Sequence, residues 1–122
     1  MTNYERKKEF IAKPMEERRE ILSKQVCDLL ADETTIFELA WDKWGKDSQL
    51  IKATEECAEL QKEVCKILRG DYSIERMNSL ASEIADVRLM CDQLEHMFEL
   101  REKVMQERGT KLVRLMSLLG VL

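Results

Sequence analysis

A chain of 122 residues suits one small domain, and helices in so short a chain gain by pairing with those of another copy. Charged residues make up 36% and aromatic residues 6%, with four glycines and one proline, which favours long amphipathic helices and leaves little material for sheets and hairpins. A net charge of −4 argues against polymeric nucleic acid as the main partner, because proteins that track phosphates need a basic excess.

The opening MTNYERKKEF lacks the apolar run of a leader, and no stretch approaches the ~20 apolar residues of a membrane span, so a cytosolic protein with no membrane partner is expected. Residues 4–12 read as a short helix. Pro14 suits the first turn of a second, which carries Ile21, Leu22, Val26, Leu29 and Leu30 toward Asp32. Residues 1–33 therefore read as an N-terminal helical extension without a chemical signature, its EERRE run a solvated face, and residues 34–122 as the functional domain.

Thr34 or Thr35 is placed to cap a helix through Ile36, Phe37, Leu39, Ala40, Trp41 and Trp44, which Gly45 ends. Asp47 or Ser48 then caps a helix over residues 49–69, stopped by Gly70 and Asp71. From Ser73 a helical pattern continues to about residue 108, with Asn78 and Ser79 as a candidate break, and Gly109 and Thr110 introduce a last helix over 111–118. The fold class expected is all-α, a four-helix-bundle-like core completed by oligomerisation.

Cys27, Cys57, Cys65 and Cys91 form no CxxC pair and His96 is the single histidine, so an ordinary zinc site has little to build on. These read as reduced thiols, with Cys57 and Cys91 on apolar helix faces.

In the 49–69 helix, Ala53, Cys57, Leu60, Val64 and Ile67 recur at the spacing of one apolar face. Glu55, Glu56, Glu59 and Glu63 run beside it, with Glu56 nearest the apolar edge. An acidic stripe of this kind is ordinarily the wet side of an amphipathic helix. The next helix alters that reading. Leu80, Val87 and Leu94 repeat every seven residues, Ile84, Cys91 and Phe98 do so one track over, and Glu83 shares a third track with Met90 and Met97. Asp86 borders the same seam one turn on. A carboxylate in a buried seam must be neutral, ion-paired or metal-bound.

If the two helices pack antiparallel, Glu83 and Asp86 can meet Glu56 and Glu59. Four carboxylates in one small volume call for a divalent cation, and all-oxygen donors select a hard one, Mg²⁺ first and Mn²⁺ second. The structural alternative pairs Glu83 with a lysine or arginine such as Lys62 or Lys66. A di-iron bundle needs Glu-x-x-His on two helices, and His96 falls on the far side of its helix from Glu83.

Glu55-Glu56-Cys57-Ala58-Glu59, followed after 23 residues by Glu83-Ile84-Ala85-Asp86, resembles the EExxE…ExxD signature of the MazG-like all-α nucleoside triphosphate pyrophosphohydrolases. The flanking Lys43-Trp44-Gly45, Ser48-Gln49, Arg69-Gly70 and EIADVRLMCDQL are similar to small bacterial and phage members, so the resemblance covers residues 36–116. It implies a four-helix core, usually formed between subunits of a homodimer or homotetramer, that hydrolyses a nucleoside triphosphate to the monophosphate and pyrophosphate. It also implies that Glu56, Glu59, Glu83 and Asp86 hold magnesium. Glu55 matches the first glutamate of the signature, and Glu55 or Glu56 is the candidate for holding the attacking water.

Phosphate charge beyond what the metal offsets needs cations, for which Lys66 and Arg69 near the end of one helix and Lys111 and Arg114 in the last are candidates, each equally readable as a surface cation. Trp44 and Gln49 are candidates for stacking on and hydrogen-bonding a base, although Trp41 and Trp44 also read as core packing. Gln93 lies one heptad after Asp86 and within reach of sugar or base. The competing classes are an enzyme using another phosphoanhydride substrate and a non-catalytic helical interaction module, which needs no metal and should tolerate Glu83→Leu.

Overall fold

The computed structural model describes residues 1–24 and 33–121, which form six α-helices and no strand. In chain order they are α1 (Asn3–Ala12), α2 (Met15–Lys24), α3 (Glu33–Trp44), α4 (Lys46–Leu68), α5 (Ile74–Met97) and α6 (Arg101–Leu118). Val26, Cys27, Leu29, Leu30 and Asp32 lie outside the described residues. The chain divides into two compact units, Met1–Ile36 and Phe37–Leu122.

In the first unit α1 starts at a capping box: the Thr2 hydroxyl accepts from the Glu5 amide at 3.2 Å and the Glu5 carboxylate accepts from the Thr2 amide at 2.7 Å. It stops at Lys13, whose ψ of 151° is the extended geometry a following proline imposes. The Pro14 carbonyl then accepts from the Arg18 amide at 3.0 Å, which launches α2. No residue of α1 is buried.

The second unit is organised by an antiparallel hairpin of α4 and α5. Gly45 alone separates α3 from α4, and its φ of 87° is a conformation glycine adopts without steric cost. The helix expected from residue 49 thus begins at Lys46, with Asp47 inside its first turn, where a negative charge favours the helix N-terminus. α4 ends as expected at Gly70 (φ 101°): the Gly70 amide donates to the Ile67 carbonyl and the Asp71 amide to that of Lys66, a Schellman closure. Ser73 then caps α5 by accepting from the Arg76 amide at 3.2 Å.

Four further boundary expectations fail. Thr34 and Thr35 lie inside α3, which begins at Glu33. Asn78 and Ser79 do not interrupt α5. The pattern expected to run unbroken to residue 108 stops at Phe98, because Glu99 takes a left-handed φ of 54° and the Leu100 amide closes on the Glu95 carbonyl at 2.9 Å. Gly109, expected to divide two helices, is interior to α6 instead. Gly weakens a helix without preventing it when the neighbours are good helix formers.

The phase of the hairpin also differs from the apolar pattern. On α4 the inward stripe is Gln49, Ala53, Glu56, Leu60, Glu63 and Ile67, with Gln49, Ala53 and Glu63 buried, while Cys57 and Val64 are exposed. On α5 it is Arg76, Leu80, Glu83, Asp86, Val87, Met90, Gln93, Leu94 and Met97, while Ile84, Cys91 and Phe98 are exposed. The seam is layered in polarity. At one end the buried Gln93 amide, 2% exposed, donates to the Gln49 side-chain carbonyl at 3.0 Å. At the other Arg76 pairs with Glu63, itself 6% exposed. Buried polar groups need partners, and this pairing supplies them.

Replacing Gln93 by leucine should lower stability by about 1–3 kcal/mol, because the Gln49 carbonyl is left buried and unbonded. A urea titration checks this, and adding Gln49→Leu should restore much of the loss.

Candidate metal centre

Between the two polar ends of the seam, Glu56 from α4 and Glu83 and Asp86 from α5 each offer a carboxylate oxygen within 4.8 Å of the others. The local sequence explains the convergence. Glu83 and Asp86 are three apart and lie on the same side of α5, and Glu56 is seven residues from both Gln49 and Glu63, whose partners pin the register. All three carboxylates are half-buried.

Glu83 is the most constrained. Its Oε2 is buried and has no hydrogen-bond partner among the described residues. Burial first, then the charges of Asp86, Glu56, Glu59 and Glu63, push its carboxyl above the ordinary carboxylate range. Neither Lys62 nor Lys66 partners it: Lys66 bonds Glu63 at 3.3 Å. An orphaned, buried oxygen facing two further carboxylates is a donor set that fits a hard divalent cation.

Glu59 is exposed and outside the group of three, close enough to Glu83 to oppose its ionisation. Glu55 is exposed on the flank of α4 and 3.8 Å from Lys52. Lys52 also pairs with Glu56 at 3.1 Å, and that hydrogen bond raises the lysine above its ordinary value. Sequence reasoning passed over Lys52, although its position one turn before Glu56 was a usable signal. It also placed Glu63 in the acidic stripe without a partner. The partner, Arg76, is 13 residues away across the turn, and no local pattern marks it. The Arg76 hydrogen bond holds the Glu63 carboxyl below the ordinary range.

The residues expected to meet substrate are dispersed. Gln49 and Gln93 bond each other inside the seam. Trp44, at 59% exposure, is not a core residue; with Ser48, Gln49, Ile51, Lys52, Glu55 and Met90 it lines a concavity of about 420 Å³. Arg69 is exposed at the end of α4, and Lys111 and Arg114 are exposed on α6, no residue of which is buried.

His96 Nε2 and Glu38 Oε1 lie 2.9 Å apart, and the imidazole stacks on Trp41 with ring centres 5.4 Å apart, which ties α3 to the end of α5. His96→Ala should therefore lower the melting temperature while leaving any metal-dependent turnover within a few-fold of the parent. Complete loss of turnover would place the histidine in the site.

No family model, curated protein or solved structure matches the chain.

Proposed function

We propose that the protein is a Mg²⁺-dependent nucleoside triphosphate pyrophosphohydrolase that releases the nucleoside monophosphate and pyrophosphate. The observation that carries this reading is the convergence of Glu56, Glu83 and Asp86 around an unpartnered carboxylate oxygen, joined to the EExxE…ExxD spacing of the sequence.

Glu56, Glu83 and Asp86 would hold the ion, with Glu59 at the rim. Mg²⁺, or Mn²⁺ in its place, supplies charge neutralisation for the phosphates and an acidified water without a histidine base. Glu55, exposed beside Glu56, is the carboxylate that would accept a proton from an attacking water. Water adds to the α-phosphorus, the bond to the α–β bridging oxygen breaks, and pyrophosphate leaves with that oxygen. Trp44, exposed in the adjoining concavity, offers a face for a base.

A homodimer or homotetramer is part of the same reading. α6 exposes Val104, Met105, Leu112, Val113, Leu115 and Met116, an apolar surface that a second copy would cover. So is a cytosolic setting, compatible with free Cys57, Cys65 and Cys91 and with the absence, among the described residues, of any helix long and apolar enough to cross a membrane.

The deciding experiment is Mg²⁺-dependent turnover across a panel of ribo- and deoxynucleoside triphosphates, with products identified by phosphorus NMR. Pyrophosphate and monophosphate are expected, from deoxynucleotides more readily than from ATP. Orthophosphate and a nucleoside diphosphate as first products would overturn the assignment, and metal binding without any turnover would favour a non-catalytic interaction module.

A further inference from the structure

Among the described residues, the ion pairs made to the acidic group of three come from one side chain, Lys52. Its ammonium lies 3.1 Å from Glu56 and 3.8 Å from Glu55, and the side chain is 54% exposed, so it is held by charge rather than by packing. Lys52 also lines the concavity that contains Trp44 and Gln49, which makes it the cation shared by the carboxylates and the concavity. Lys66 is already committed to Glu63, and Arg76 to Glu63 and Asp71.

Building on the function proposed above, we infer that Lys52 is an exchangeable counter-ion: it neutralises Glu56 while no metal is bound, and a divalent cation releases it into the concavity to take the phosphate chain. The physical basis is the sign of the charges. A divalent ion among Glu56, Glu83 and Asp86 brings positive charge to the carboxylate that now holds the ammonium, so cation and lysine compete for it. Four rotatable bonds let the ammonium swing while its backbone stays fixed on α4, and Lys52 already lines the concavity it would swing into. Once off Glu56, a lysine there meets phosphate oxygens as a point charge. Lys52 thus has two successive roles: it biases metal entry and then binds the nucleotide.

The test uses Lys52→Met and Lys52→Arg in the full chain, with Mn²⁺ binding to the nucleotide-free protein followed by electron paramagnetic resonance, alongside KM and kcat. Because Lys52 lies outside the buried seam, both variants should keep the parental melting curve within a few degrees. Lys52→Met should bind Mn²⁺ more tightly, on the order of fivefold, because a competing charge has gone. The same variant should raise KM for the nucleotide roughly tenfold with little change in kcat. Lys52→Arg should restore KM toward the parent.

Parental or weaker Mn²⁺ affinity in Lys52→Met would overturn the counter-ion role whatever the turnover, and unchanged KM would overturn the phosphate role. A parent protein that binds Mn²⁺ but releases no pyrophosphate would reject the enzymatic reading and the phosphate role, leaving the Mn²⁺ comparison to decide the counter-ion role separately. A parent that binds no Mn²⁺ would overturn both.

Discussion

Glu83→Gln should reduce Mg²⁺-dependent turnover by about 100-fold or more, since loss of even an outer partner of a metal ligand costs 10–100-fold, and should at the same time make the metal-free protein more heat-stable. The two effects share one cause. Glu83 presents a buried oxygen without a partner to the charges of Glu56 and Asp86, so its ionised form is costly until a cation arrives. Glutamine keeps the volume, removes the charge and offers an amide donor to the neighbouring carboxylates.

The pH dependence follows from the direction of the shift. A carboxyl raised above its ordinary value favours the fold in its neutral form, so the native protein carries no penalty at pH below the ordinary carboxylate range. It loses stability as pH rises through the raised value. The melting temperatures of parent and Glu83→Gln, measured with chelator present, should therefore nearly coincide in acid and separate toward neutrality, with the variant higher. Excess Mg²⁺ should stabilise the parent more than the variant. A variant with parental turnover would remove Glu83 from the site.

Glu63→Ala should have the opposite sign on the same hairpin. Glu63 is buried and accepts hydrogen bonds from Arg76 and Lys66, and Arg76 reaches on to Asp71. Removing the carboxylate leaves a largely buried guanidinium with half its partners, the circumstance in which breaking a buried pair is severe, and a fall in melting temperature on the order of 10 °C is expected.

Here the sign of linkage is reversed. The Arg76 hydrogen bond lowers Glu63, and Ser73, then Arg76, lower Asp71. Their contribution is present above the ordinary carboxylate range and is lost as pH falls through the lowered values. Parent and Glu63→Ala should thus converge on acidification. Arg76→Ala should cost a similar amount, and the double variant less than the sum of the two. Additive losses, read by calorimetry at neutral pH, would mean that Glu63 and Arg76 contribute independently.

The contrast between Glu63 and Glu83 separates what is local from what is not. Helical character, the capping box at Thr2, the stops at Gly45 and Gly70 and the Ser73 start are all legible along the chain, because each depends on residues within one turn of each other. The 3-residue spacing of Glu83 and Asp86 is likewise local, and any α5 helix places them together.

Which carboxylates they meet is a property of the pairing between α4 and α5. Apolar residues occur on both sides of α4, so Cys57 and Val64 were as good a pattern for the inward face as Glu56 and Glu63. Only the docked hairpin breaks that tie. It buries the stripe whose polar members find partners, Gln49 with Gln93 and Glu63 with Arg76. That choice of phase turns Glu56 inward, leaves Glu59 outside and sets Lys52 against Glu56. Two glutamates seven residues apart on one helix face, alike in sequence, thereby acquire different neighbours across the turn. Glu63 meets a guanidinium, whereas Glu56 meets two carboxylates, because the element that faces each comes from across the turn.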